Sequence, residues 1–79
     1  MTKEELKKVF ALAKESKLDI YVAITIPGQN DYEYIVNKYN SLDNKLEYYC
    51  KAYDDNCTHC MNDQVKIVNA GVIDFYVGE

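Results

Sequence analysis

Hydrophobic residues recur at helical spacing in two parts of the chain. In the first part, a capping-box pattern at Thr2-Lys3-Glu4-Glu5 precedes an apolar stripe, which predicts a helix over residues 3–16. A second stripe predicts a helix over residues 41–55, capped by Asn40 or Ser41, with an extension to Cys57 that keeps the same face. The two stripes consist of Leu6, Val9, Phe10 and Ala13, and of Leu42, Leu46, Tyr49, Cys50 and Tyr53.

Alternating apolar residues predict the strands. The clearest strand spans residues 19–26, and Pro27-Gly28 ends it before a returning strand at residues 32–36. Two further strands are predicted at residues 64–68 and 72–77. Between them, Asn69-Ala70-Gly71 fits either a tight hairpin loop or a bulge within one longer strand.

The order of elements is therefore α-β-β-α-β-β, in one domain over residues 1–79. Each hairpin pairs antiparallel and each helix has one apolar stripe. The simplest packing is an α+β fold, with an antiparallel sheet and both helices on one of its faces.

Composition adds an expected location. No apolar run approaches the roughly 20 residues that a membrane helix needs. The first residues, MTKEELKK, lack the apolar stretch of a signal peptide. We expect a cytoplasmic protein with no membrane partner.

Charge is divided unevenly along the chain. The net charge is −4, there is no Arg, and five of the nine Lys lie in the first 17 residues. Proteins that bind nucleic acid usually carry a basic patch in which Arg is prominent. We therefore expect no direct binding of nucleic acid, and a basic protein partner suits the acidic remainder better.

The three cysteines and the only histidine lie close together in sequence, at Cys50, Cys57, His59 and Cys60. The C-x-x-C spacing of Cys57 and Cys60 is one that zinc sites use. However, no second C-x-x-C follows, and adjacent His59 and Cys60 are awkward ligands for one tetrahedral ion. Cys50 and Cys57 also fit the apolar stripe without a metal, so we expect no metal and no cofactor.

Catalysis is also not expected from these residues. As a redox pair, Cys57 and Cys60 would follow a helix C-terminus, where the dipole and nearby acids oppose a thiolate. The three glycines are isolated, so no phosphate-binding loop is present. We expect that the chain is not an enzyme.

Eight tyrosines and no tryptophan suggest an interaction surface. Helical spacing places Tyr49 and Tyr53 in the core and leaves Tyr48 exposed, with acidic residues nearby. The predicted partner-binding residues are Asp43, Glu47, Tyr48, Asp54 and Asp55. Tyr32, Tyr34 and Tyr76, on predicted edge strands, are the next candidates.

The segment from Lys45 to Asp55 has the pattern K-L-x-Y-Y-x-x-A-Y-D-D, and a short strand at Lys66-Ile67-Val68 follows. With the charged first helix and the strand ending in Pro-Gly, these features resemble a group of small prophage proteins of low-GC Gram-positive bacteria. The likeness covers most of the chain and includes no catalytic motif. The group has an aliphatic residue where Cys57 stands. The resemblance implies a phage accessory protein.

Two hypotheses follow. The preferred one is an accessory protein that acts by protein–protein binding as a monomer or homodimer, in its sharper form an acidic inhibitor of a host nucleic-acid-binding protein. The alternative is a zinc-stabilised structural module that uses Cys50, Cys57 and Cys60. A pull-down and a zinc analysis discriminate between them.

Overall fold

The first helix forms where the sequence predicts it. A computed structural model describes residues 1–74, and helix α1 spans Lys3–Ser16. The capping box is present: Thr2 Oγ1 accepts from the Glu5 amide, and Glu5 Oε1 accepts from the Thr2 amide at 2.8 Å. Lys17 ends the helix in the left-handed conformation.

The first hairpin is also confirmed. Strand β1 spans Asp19–Ile24 and pairs antiparallel with β2, Glu33–Asn37. Strand β1 ends two residues earlier than predicted, although Thr25, just beyond its end, still bonds to β4 with its backbone and its side chain. Thr25 Oγ1 donates to the Gln64 carbonyl and accepts from the Lys66 amide.

The second helix is shorter than predicted. A 3-10 turn over Tyr39–Ser41 leads into α2, Leu42–Ala52. Ser41 is the N-cap residue, but its hydroxyl donates to the Lys38 carbonyl and does not cap the helix. The predicted extension to Cys57 is wrong, because Tyr53 takes an extended conformation and pairs with His59 in a β-bridge.

One long strand replaces the two strands predicted near the end of the chain. Strand β4 spans Asn62–Ile73 and pairs with a short strand β3, Thr58–His59, that was not predicted. The pairing with β1 steps from Asn69 to Ile67, so Val68 is the extra residue of a bulge. The alternative of one longer, bulged strand is therefore correct, but the bulge lies at Val68 and not at Asn69-Ala70-Gly71, which pair regularly with β1. Of the strand predicted over residues 72–77, residues 75–77 lie outside the part of the chain that the structure describes.

The four strands form an antiparallel sheet in the order β2-β1-β4-β3, and the fold is α+β as predicted. The core lies between one face of this sheet and the apolar stripes of the two helices. It contains Leu6, Phe10, Ile20, Val22, Leu42, Tyr49, Tyr53, Cys57 and Ile67. No helix within residues 1–74 is long and apolar enough to cross a membrane.

Candidate binding surface

The predicted acidic residues lie along the second helix and the turn that follows it. Asp43 accepts a hydrogen bond from Lys14 at 2.7 Å, and this bond raises the pKa of the lysine. Glu47 pairs with Lys51 one turn later at 3.5 Å. Asp55 lies 4.0 Å from the Lys3 ammonium. These carboxylates have lysine neighbours within the chain, which reduces the negative potential they present to a partner.

Asp54 has a structural role in the turn after α2. Its Oδ1 accepts from the amides of Asn56 at 2.9 Å and Thr58 at 3.0 Å. These two hydrogen bonds lower the pKa of the carboxyl group. Replacing Asp54 by Lys would remove the acceptor of both hydrogen bonds, so the residue is less suited to a binding test than an exposed acid without such contacts.

The aromatic predictions for α2 are confirmed. Tyr49 and Tyr53 are buried, whereas Tyr48 is 54% exposed. The Tyr53 ring packs edge-on against His59 with centroids 5.1 Å apart. Burial raises the pKa of Tyr53 to about 12, so its hydroxyl stays protonated at neutral pH.

The cysteine cluster does not converge on one point. Cys57 is fully buried in the core, Cys50 is half-buried, and Cys60 is exposed. The Nδ1 atom of His59 accepts from the Met61 amide at 3.0 Å, within the turn between β3 and β4. Among residues 1–74, no three His, Cys, Asp or Glu side chains are grouped so that they could hold a metal ion.

The second face of the sheet, which we call the open face, carries aromatic and apolar side chains that no helix within residues 1–74 covers. Strand pairing assigns residues to it, because directly opposite residues share a face. Tyr21 lies opposite Val36 and Gly71, and Ala23 lies opposite Tyr34 and Asn69. On β1, on β2 and on β4 after its bulge, the open face consists of Asp19, Tyr21, Ala23, Tyr34, Val36, Asn69, Gly71 and Ile73.

Exposure is greatest where the open face meets the edge of the sheet. Tyr34 is 64% exposed and Val36 is 52% exposed, and both lie on the outermost strand, β2. The rings of Tyr34 and Tyr21 are 6.1 Å apart, so the aromatic surface continues inward from the edge.

Sequence reasoning found part of this surface. Tyr34, a candidate on a predicted edge strand, lies on the open face, and Tyr32, predicted with it, is exposed just before β2. Tyr21, Val36 and Gly71 were missed. In β1 and β2 these residues alternate with the core-facing positions, which is a signal in the sequence. The signal could be used only once the strand register showed which residues lie side by side.

Comparison with protein-family models, with curated proteins and with solved structures finds no match to this chain.

Proposed function

We propose that this chain is a protein-binding module of the prophage accessory type, and that it holds a partner by adding an extended segment of that partner to strand β2. The observation that supports the proposal is the position of Tyr34 and Val36, which are apolar, exposed and on the outermost strand of the sheet. The resemblance to prophage proteins supports the accessory role.

An edge strand is a template for another strand, because its outward N–H and C=O groups lack a neighbour in the sheet. In strand addition, backbone hydrogen bonds supply affinity and alternate side chains supply specificity. Here the alternate side chains on the open face are Tyr34 and Val36, so the fitting segment has aromatic or β-branched residues at alternate positions.

The helix α2 surface supports binding less well. Three of its proposed carboxylates have lysine neighbours within the chain, and the fourth, Asp54, accepts two backbone hydrogen bonds. The acidic-inhibitor form of the hypothesis needs these charges to face a basic partner. The edge strand needs only side chains and backbone groups that already face outward.

A displayed library of random peptides, selected on the immobilised chain, tests this proposal. We expect enrichment of peptides with alternating apolar residues, and loss of their binding to a chain carrying Tyr34→Glu and Val36→Glu. Leu12→Glu is the matched control, because Leu12 is an exposed apolar residue on helix α1. Equal binding to the double variant, or no enrichment, would refute strand addition to β2.

A further inference from the structure

We infer that one strand that β2 accepts is the β2 of a second copy of this chain, paired antiparallel about a two-fold axis at Ile35. The inference rests on the proposed use of β2 as the binding strand, and it names the partner. Two four-stranded sheets would then join into one continuous sheet.

The two edges of the sheet differ in a way that favours β2. The other edge is divided between β3, which has two residues and an irregular register, and the part of β4 beyond Lys66 that β3 does not pair with, so no single regular strand forms it. Strand β2 has five residues in regular register with β1. Natural edge strands are usually guarded by charged side chains, by proline or by a bulge. Within β2 the one charged residue is Glu33, at the start of the strand, and the strand has no lysine, no proline and no bulge.

The strand is complementary to itself in one register. A two-fold axis perpendicular to the sheet keeps each residue on its own face, so the axis must pass beside a residue and not between two. Ile35 is the midpoint of β2, and an axis there pairs all five residues. It places Tyr34 opposite Val36 of the second copy, twice, which is a favourable aromatic–β-branched pair.

Charges agree with this register. Glu33 would lie opposite Asn37 of the second copy, so no like charges face each other within the strand. Just beyond it, Lys38 would lie opposite Tyr32 of the second copy, between that copy's Asp31 and Glu33. The Lys38 side chain is 68% exposed while it pairs with Asp19 at 3.4 Å, so its stem can also cover the tyrosine ring.

The short length of the paired strands limits the expected affinity of the dimer. A pair of five-residue strands with their side chains buries less surface than a standard stable interface. We therefore expect a reversible dimer with a dissociation constant in the micromolar range, best measured by sedimentation velocity over a range of chain concentrations.

Paired charge variants test the register directly. One variant carries Tyr34→Glu and Val36→Glu, and the other carries Tyr34→Lys and Val36→Lys. Each alone would place like charges opposite each other twice, and we expect dimerisation to weaken about thirty-fold or more. An equimolar mixture places Glu opposite Lys and should restore association. Matched Leu12→Glu and Leu12→Lys variants should dimerise as the native chain does, and circular dichroism verifies that every variant is folded.

Two results would overturn the inference. A native chain that stays monomeric at millimolar concentration has no such dimer, and the peptide selection above then still decides whether β2 binds other strands. A dimer that persists in the variant with Tyr34→Glu and Val36→Glu uses another surface.

Discussion

The ring of Tyr21 lies against the backbone of Gly71, directly opposite on the neighbouring strand. A Cβ atom at Gly71 would fall 2.7 Å from Cε1 of that ring, closer than such atoms approach in proteins. The same tyrosine hydroxyl accepts from the Asn69 amide group at 3.5 Å. The lack of a side chain at Gly71 therefore allows the Tyr21 ring to lie across β4 on the open face.

Gly71→Ala should displace the Tyr21 ring and cost about 1 kcal/mol in the free energy of unfolding, the low end for overpacking, because the atoms in conflict are at the free end of a side chain. Urea denaturation measures the cost. In a Tyr21→Ala background the same change should be neutral or stabilising, since glycine within a strand is otherwise unfavourable. An equal loss in both backgrounds would mean that the ring is not the cause.

A hydrogen bond between two polar groups in the core is the basis of a second prediction. The Tyr49 hydroxyl donates to Oδ1 of the buried Asn37 at 3.4 Å. Tyr49→Phe removes this donor and should cost about 1 kcal/mol in the free energy of unfolding, as expected for a long neutral hydrogen bond. Tyr48→Phe, at an exposed ring on the same helix, should change it by less than about 0.5 kcal/mol. Similar losses in the two variants would exclude the hydrogen bond as the source.

The periodicity of apolar residues was enough to predict both helices, the first hairpin and the fold class. It failed after Ala52, where local hydrogen bonds outweigh the helical stripe. Asp54 binds two amides of the following turn, and the Cys60 amide donates to the Ala52 carbonyl at 2.8 Å. Cys57 is buried, as its place in the apolar stripe predicts, but it reaches the core from a residue in the left-handed conformation and not from a helix.

The candidate site was predictable only in part. Alternation identifies Tyr34 as one of the residues on a strand face, but it does not say which strands are neighbours. The open face depends on β4 pairing with β1 and on the bulge at Val68, and both are long-range features. The pairing of the α2 carboxylates with lysines could not be predicted from the sequence of α2 alone, because the Lys14–Asp43 contact joins residues 29 positions apart.

Acid should weaken the turn after α2. The folded chain holds the pKa of Asp54 below its unfolded value, so the unfolded state binds more protons as the pH falls. The stability that this carboxylate contributes is present above the unfolded pKa, about 3.9, and is lost as the pH falls through the folded pKa. Asp54→Asn, which keeps an acceptor oxygen, should melt slightly lower at neutral pH and lose less on acidification.

Melting temperatures between neutral pH and about pH 2 measure this difference. Asp31→Asn, in the exposed turn between β1 and β2, is the control and should follow the native curve. Glu5 still contributes to the acid loss in every variant, because its hydrogen bonds with Thr2 lower its pKa too. If Asp54→Asn loses as much on acidification as the native chain, the Asp54 carboxylate does not govern the turn.

The thiols of Cys60 and Cys57 should react at very different rates. Cys60 is exposed, whereas Cys57 is fully buried and burial also raises the pKa of its thiol. A thiol-specific reagent should modify Cys60 first and Cys57 only as fast as the chain unfolds. Cys60→Ser should remove the fast phase and leave the slow one unchanged. Rapid modification of Cys57 in the folded chain would contradict its place in the core.

Two residues share a left-handed backbone conformation but should respond in opposite ways to glycine. Lys17 and Cys57 both have φ of 59°, which is unfavourable for any residue with a Cβ atom. Lys17 is exposed at the end of α1, so Lys17→Gly relieves this strain and removes no core contact. We expect a gain of about 1 kcal/mol in the free energy of unfolding.

Cys57→Gly relieves the same strain but also deletes a side chain with no exposed surface, and the cavity should outweigh the gain. Cys57→Ala separates the two effects, because it removes the thiol and keeps the strain, so it should be no more stable than Cys57→Gly. Lys8→Gly, within α1, should lose about 1 kcal/mol because glycine is unfavourable in a helix. Chemical denaturation of the four variants gives the order. If Lys17→Gly were destabilising like Lys8→Gly, the helix would not end at a left-handed residue.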